Sequence, residues 1–425
     1  MTIVDRQHTG DEQMTDSDEQ ARFRQRVRDF LDAHCQKRRS NRGDEGEELL
    51  PLEPESTAQL QRAMAYQTAL YDAGLAFLTW PKRYGGQELT KRHVEIFNEV
   101  AAGYEINNFV YSIGHGMCAP TILEFGTDEQ KDRFLPDLLR GDKIWCQLYS
   151  EPGAGSDVAS LQTRAVRDGD EWIVNGQKVW TSGAHYSSFG IIIARTNMDA
   201  PKHKGITMFI VDVSTPGLEV KPLRQITGAS NFNEVFLTDV RIPDANRLGM
   251  VDDGWRLSVA LLMNERVAIG AGGGGPRDGG VNPLMRKARE RGLITDPNLR
   301  QGLMDVYIHQ RLLSWLGVRT RAALKAGRAP GPEGSLGKLM AANIARKQSD
   351  LGIAIAGASG QAWAADDPKG PRWATAVLSA PASAIAGGTS EVQKNIIGER
   401  VLGLPKEPQV DRDLPFRELK VGTQR

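Results

Sequence analysis

The chain has 425 residues, with 53 Lys and Arg balanced by 53 Asp and Glu, and a pI near 7.1. That length accommodates two or three compact units with a large core, and the neutral balance argues against a nucleic-acid footprint or a polybasic membrane patch. No run of about eighteen apolar residues appears, and Met1 to Gln20 is acidic and polar, so neither a membrane span nor a signal peptide is expected and the protein reads as cytoplasmic. Cys35, Cys118 and Cys146 are widely spaced, which predicts reduced thiols. The seven histidines form no His-x-x-His or His-Glu-x-x-His, so no protein-built metal site is expected, and His115 and His185 read as ordinary hydrogen-bonded histidines.

Residues 1–16 lack periodicity and read as a disordered tail. Ser17 with Gln20 forms a capping box, and Phe23, Val27, Phe30 and Leu31 then recur on one helical face. Arg38 to Pro54 is a charged loop, after which Ser56 with Gln59 caps a helix to about Asp72. Trp80-Pro81 and Gly85-Gly86 break the chain before a helix opening at Thr90. A mostly apolar segment runs from Asn107 to Phe125. Thr127 with Gln130 caps the next helix, through Leu139, with an interruption expected at Pro136. These stripes predict an N-terminal helical bundle over 17–143.

From Ile144 the apolar period changes to two, over 163–166, 171–174, 190–194, 206–212, 218–222 and 234–237. Asp168-Gly169 and Asn175-Gly176 read as hairpin turns. A middle antiparallel, β-barrel-like domain over 144–247 follows. Gly254 opens an apolar helix, Trp255 to Ile269, and Gly270 to Gly275 ends it. That glycine run lacks a Gly-Lys-Ser/Thr ending and is a flexible connection, not a phosphate loop. Asp296-Pro297 starts a helix through Ala326 with Leu299, Leu303, Val306 and Tyr307 in register, and Ser335 to Ala356 and Ser390 to Leu402 supply the last helices. The expectation is a C-terminal four-helix bundle over 248–405 and a tail over 406–425, an α+β class that is mainly α.

The segment around which these units are organised is Gln147-Leu148-Tyr149-Ser150-Glu151-Pro152-Gly153-Ala154-Gly155-Ser156-Asp157. Pro152 fixes one backbone angle, the two glycines admit close approach of a ligand, and Ser156 adds a hydroxyl. A lone Gly-x-Gly is most often a surface turn, and a dinucleotide-binding motif would need a helix after it, whereas Leu161 to Val166 alternates as a strand. What raises this loop above a turn is its partner downstream, Lys178-Val179-Trp180-Thr181-Ser182-Gly183, another strand end bearing an indole and two hydroxyls.

Together with Asn175-Gly176-Gln177, these two segments closely resemble the acyl-CoA dehydrogenase family. The resemblance extends from about residue 20 to about 405 and includes Trp80-Pro81, Tyr84-Gly85-Gly86, Asn233-Glu234-Val235-Phe236, Asp239-Val240-Arg241-Ile242-Pro243, Ala386-Gly387-Gly388-Thr389-Ser390-Glu391 and Glu399-Arg400-Val401-Leu402-Gly403. It implies FAD as cofactor and an acyl-CoA thioester as substrate, converted to a trans-2-enoyl-CoA in fatty acid β-oxidation with electrons passed to an electron-transfer flavoprotein. It also implies a homodimer or homotetramer, or a heterotetramer. By the same likeness Tyr149 and Ser150 bracket the pyrimidine edge of FAD, Ser156 reaches its pyrophosphate or the CoA, and Trp180 and Ser182 flank the isoalloxazine. Thr389 and Glu391 match positions at the AMP half, and Arg291 is the approximate counterpart of an arginine sent to the neighbouring subunit's FAD. The family's adenine-side Gln-x-x-Gly-Gly is reduced here to Gly357-Ala358-Ser359-Gly360.

Glu265 shares a helical face with Leu261, Leu262, Ala268 and Ile269, so its carboxylate is expected in apolar surroundings that raise its pKa toward that of a general base. An ion pair with Arg266 or Arg256 is the structural alternative. Many family members carry the base near the C-terminus, at the position of Gly387. In the isovaleryl-CoA and long-chain types it stands on the central helix as Glu-Arg, which Glu265-Arg266 matches, with Arg266 on the substrate side. Gly387 then contributes only its backbone N–H, to the thioester oxygen, and its missing side chain is consistent with branched or bulky acyl groups. Two other readings share these loops: a half-site or non-catalytic subunit of a heteromeric acyl-CoA dehydrogenase, and an acyl-CoA oxidase or flavin monooxygenase.

Overall fold

A computed structural model describes residues 16–38, 57–106, 108–271, 281–327, 331–363, 372–409 and 411–420, except the side chains of 265–271 and 324–325. The sequence expectations for residues 1–15, for Ser56 as a cap and for the glycine run from residue 272 fall outside them. The chain forms two compact units, one including residues 57–108 and 139–142, the other including residues 109–138 and everything from Lys143.

In the first unit, α1 (Asp18–His34) starts at the expected capping box. Gln20 N donates to Ser17 Oγ at 3.3 Å and Ser17 N to Gln20 Oε1 at 3.1 Å. α2 (Thr57–Asp72) and α3 (Lys91–Ala101) follow, and two short strands, β1 (Gln36–Lys37) and β2 (Tyr104–Glu105), pair antiparallel. Phe23, Val27, Leu31, Leu70 and Ile96 bury the apolar stripes read from the sequence.

The second unit begins with a π turn over Gly114–Cys118 that leads into α4 (Ala119–Phe125), then α5 (Asp128–Arg140). α5 runs through Pro136 without the expected interruption. An interior proline costs about 3 kcal/mol. Phe134, Leu135 and Leu138 are 0 to 3% exposed, and burying each returns about 1.5 to 3 kcal/mol, which outweighs the lost hydrogen bond.

The sheet comprises β3 (Trp145–Leu148), β4 (Arg164–Asp168), β5 (Glu171–Ser182), β6 (Phe189–Arg195), β7 (Ile206–Asp212), β8 (Leu218–Leu223), β9 (Phe232–Pro243) and β10 (Arg247–Leu248), in the order β10-β7-β6-β4-β5-β9-β8. Pairing is mainly antiparallel, but β3 lies parallel to β6, with Trp145 opposite Phe189 and Leu148 opposite Ile192. Leu148, Val174, Ile192, Phe209, Val235 and Ile242 form its core. The expected turn at Asn175-Gly176 is not there: β5 continues through it, with a bulge between Val174 and Gly176. Asn175 is tied across the sheet to Asp239, whose N–H donates to Asn175 Oδ1 at 2.9 Å while Asn175 Nδ2 donates to Asp239 Oδ1 at 3.0 Å. A Cβ on Gly176 would fall 2.4 Å from Thr163 Oγ1, so the glycine serves close packing, not chain reversal.

Helices α6 (Gly254–Ala271), α7 (Val281–Glu290), α8 (Pro297–Lys325), α9 (Gly334–Ala356), α10 (Arg372–Ile385) and α11 (Ser390–Ile396) complete the unit, the last continuing as a π turn over Ile397–Val401. α7 and α10 are absent from the sequence expectation. α7 buries Val281, Leu284 and Ala288 against Leu303, Val306 and Ile344, and α10 carries Pro381 in its interior, a residue that disfavours helix there. The 406–425 tail also differs: residues within 411–420 are anchored, with Pro415 bridging Pro201 and Phe416 and Leu419 only 3% and 8% exposed. The three cysteines are free thiols, and no described helix is long and apolar enough to cross a membrane.

Candidate active site

β3 delivers the chain to Tyr149, Ser150 and Glu151, and β5 runs alongside. Val179 N donates to Ser150 O at 2.8 Å, so the two motif segments are joined by their backbones. Their side chains are joined too. Lys178, with a fully buried side chain, donates through Nζ to Glu151 Oε1 at 2.8 Å and to Tyr149 O at 3.1 Å. Glu151 accepts further bonds from Gln162 N at 2.6 Å and Thr163 N at 2.9 Å, which bends residues 151–163 back on the strand end. Burial pushes the Glu151 carboxyl up, but the Lys178 ammonium and these amide bonds outweigh it and hold the group below its usual value. Burial pulls Lys178 below the usual lysine value, with Glu151 opposing. Sequence reasoning named both segments and missed this pair. The available signal was a lone lysine in the apolar part of β5.

Beyond Lys178 the register of β5 against β9 shifts, and Trp180 is thrown outward, 58% exposed with φ +59°, its ring edge-on to Phe232 at 5.7 Å. Ser182 is half-buried opposite Phe232. Ser156 is exposed, and the position a Cβ would take on the neighbouring Gly155 opens on free space. Thr181 and Thr163 each bury a hydroxyl that has no hydrogen-bond partner among the described residues.

Gly387, Thr389 and Glu391 form a second cluster. Gly387 and Gly388 both have positive φ, +65° and +92°. Buried Gln393 donates from Nε2 to Gly387 O at 2.9 Å and to Gly388 O at 3.2 Å, and Lys338 Nζ donates to Gly388 O at 2.5 Å. Thr389 caps α11 by accepting from Val392 N at 3.3 Å, and Glu391 is exposed in the first turn. Gln393 and Lys338 were not singled out from the sequence. Arg291 stands apart from this cluster, exposed, with Nη1 donating to Ala356 O at 2.6 Å.

The side chains of Glu265 and Arg266 lie outside the described residues. Their helix is present, and Arg256, a possible ion-pair partner for Glu265 from the sequence, is committed to Asp253 at 2.6 Å. His115 is bonded through Nε2 to Leu138 O at 2.8 Å and His185 through Nδ1 to Asn233 Oδ1 at 3.0 Å.

Comparison with known proteins decides what these segments are. Residues 17–142, 146–240 and 252–402 match, respectively, the N-terminal, middle and C-terminal domains of acyl-CoA dehydrogenase. The chain belongs to the acyl-CoA dehydrogenase family. Among its relatives, acyl-CoA dehydrogenase FadE34 of Mycobacterium tuberculosis (strain ATCC 25618 / H37Rv) is 40% identical over 366 residues, covering 84% of this chain. This chain spans about half, 49%, of the length of FadE34. Acyl-CoA dehydrogenase IpdE1 of the same strain is 37% identical over 349 residues, covering 81% of this chain and 88% of IpdE1. A solved structure described as "Tcur3481-Tcur3483 steroid ACAD" superposes with a TM-score of 0.72 at 26% identity, covering 92% of this chain and 99% of its own.

Acyl-CoA dehydrogenases are FAD-dependent oxidoreductases that act on CH–CH bonds. The residues present fit that cofactor. An exposed indole at Trp180, a half-buried hydroxyl at Ser182 and an exposed glycine loop, on two segments joined by the Glu151–Lys178 pair, supply the apolar surface, the polar donors and the close approach that a bound isoalloxazine requires.

Proposed function

We propose that this chain catalyses the FAD-dependent α,β-dehydrogenation of an acyl-CoA thioester to a trans-2-enoyl-CoA, with Glu265 as the base and an electron-transfer flavoprotein as the electron acceptor. The observation that carries the reading is the Glu151–Lys178 pair, which joins the two motif segments while Trp180 is turned outward on one and Gly155 stays exposed on the other. In this reading Tyr149, Ser150, Ser156, Trp180 and Ser182 hold the flavin and orient it, while Thr389 and Glu391 lie toward its AMP half. Glu265 takes the proton from the α-carbon, and Arg266 lines the substrate side. The Gly387 N–H, which no backbone carbonyl accepts among the described residues, donates to the thioester oxygen and acidifies the α-hydrogen. FAD, when bound, supplies the acceptor for the hydride leaving the β-carbon.

The acyl group that suits a glycine at position 387 is bulky, and the related structure's description as a steroid enzyme supports a ring-bearing acyl chain. We place the protein in the cytoplasm and divide it at 143/144, 247/248 and 405/406. A second reading, the catalytic half of a heteromeric enzyme, is favoured by Arg291, whose guanidinium is turned to its own Ala356, and by the reduced Gly357-Ala358-Ser359-Gly360 segment. A partner chain would then complete the adenine side.

The test is anaerobic titration of the purified yellow protein with ring-bearing and straight-chain acyl-CoA thioesters. Wild type bleaches, and Glu265→Gln keeps its flavin spectrum while losing about 10²-fold or more in the bleaching rate. Turnover retained by Glu265→Gln moves the base elsewhere, and peroxide formed in air at the rate of turnover makes the protein an oxidase.

A further inference from the structure

Arg195, at the end of β6, is fully buried and has no acidic side chain in hydrogen-bond contact among the described residues. Its guanidinium instead bridges two loops. Nη2 donates to Ala159 O and Nη1 to Lys202 O, each at 2.6 Å, and Nε has no partner among the described residues. The same two loops meet again where Lys202 Nζ pairs with Asp157 at 2.8 Å, and Ser160 Oγ donates to that carboxylate at 2.5 Å. The backbone of Arg195 donates to Thr163 O at 2.7 Å, and Thr163 N is one of the donors on Glu151. Arg195 thus braces residues 157–163 through Ala159 O and Thr163 O, contacts separate from the Glu151–Lys178 bond.

The open face of that guanidinium is covered from the far end of the sequence. The Phe416 ring lies with its centroid 3.7 Å from Arg195 Cζ. The segment that brings it there is sewn to the 198–201 loop. Phe416 N donates to Ala200 O at 2.9 Å, Arg417 N donates to Met198 O at 3.0 Å, and the Arg417 side chain pairs with Asp199. An aromatic face is what a buried cation with an unsatisfied N–H can use in place of a carboxylate. Burial lowers the Arg195 pKa to about 10, with Glu151, Asp252 and Asp157 opposing, so the group stays charged at neutral pH.

We propose that residues 411–420 form a clasp in which Phe416 caps Arg195, and that the two act as positioning residues that set the 151–163 loop for the flavin. The consequence for flavin rests on the reading of 149–157 as the flavin cradle; the consequence for the loop does not. The test therefore has two readouts on the full-length protein. Hydrogen exchange of the apoprotein reports the loop, and fluorescence titration of the apoprotein with FAD reports the cofactor. Phe416→Ala is expected to speed exchange of the 157–163 amides and to raise the FAD dissociation constant about tenfold. Phe416→Tyr keeps the ring face and restores both, whereas Phe416→Leu fills the space without a π face and restores neither. Unchanged exchange in Phe416→Ala overturns the clasp, as does full restoration by Phe416→Leu. Faster exchange with unchanged FAD affinity upholds the clasp and counts against the cradle.

Discussion

Lys178 and Glu151 form a buried ion pair, 2.8 Å from Nζ to Oε1, between the two segments by which the family is recognised. The contact explains why both segments are needed: each supplies one of two opposite charges that neither could bury alone.

Breaking that pair from one side should therefore cost more than its removal. Lys178→Met leaves a carboxylate in the interior and should lower unfolding stability by about 3 to 5 kcal/mol, while Lys178→Met combined with Glu151→Leu should recover a substantial part. Urea denaturation of the two variants decides it; equal losses would show that the charge on Glu151 is not confined by Lys178.

The protein should lose stability in two steps as pH falls. Burial holds the His115 imidazole down at about 4, against its bond to Leu138 O. Its folded value lies below the unfolded value of 6.5, so the unfolded chain takes up the proton first and stability drops between about pH 6.5 and 4. Arg247 and, to a lesser degree, Trp172 hold the Asp244 carboxyl near 2, and Glu151 is also depressed. Their contribution is present above the ordinary carboxylate range and is lost below it. Thermal midpoints measured against pH should flatten in the upper window for His115→Gln and keep the lower one.

Trp180 adopts a left-handed backbone conformation that a side chain resists by about 1 to 2 kcal/mol. Trp180→Gly should leave the apoprotein as stable as wild type or more so, yet weaken flavin binding because the exposed indole is gone. Apoprotein melting and FAD titration together test this, and undiminished affinity would remove Trp180 from the site.

The Gly387-Gly388 turn is held by the buried Gln393 amide together with Lys338. Gln393→Leu removes the side-chain donor from Gly387 O and leaves Gly388 O with Lys338 alone, and should cost about 1 to 3 kcal/mol, with a fall in kcat greater than any rise in KM. Gly388→Ala should act in the same direction, since its Cβ would meet Gln393 Nε2 at 2.7 Å. A loss of stability with kcat intact would separate the turn from the reaction.

Local signals survived into the structure wherever one short stretch held all the interacting groups. The Ser17–Gln20 and Thr127–Gln130 boxes needed only neighbours in sequence. Asn175-Gly176 misled because its deciding partners, Asp239 and Thr163, are distant along the chain and make the pair a bulge. Pro136 misled because packing on the rest of its helix outweighed one missing bond. By itself the sequence determined the mainly α class, the β insert and the residues that resemble a flavin site. Only the tertiary structure decided that Lys178 belongs to Glu151, that Gln393 locks the glycine turn, and that Phe416 covers Arg195. The physical reason is that a buried charge or amide is defined by whichever group reaches it in space, and for Arg195 that group arrives 221 positions later in the chain, from residue 416 against residue 195.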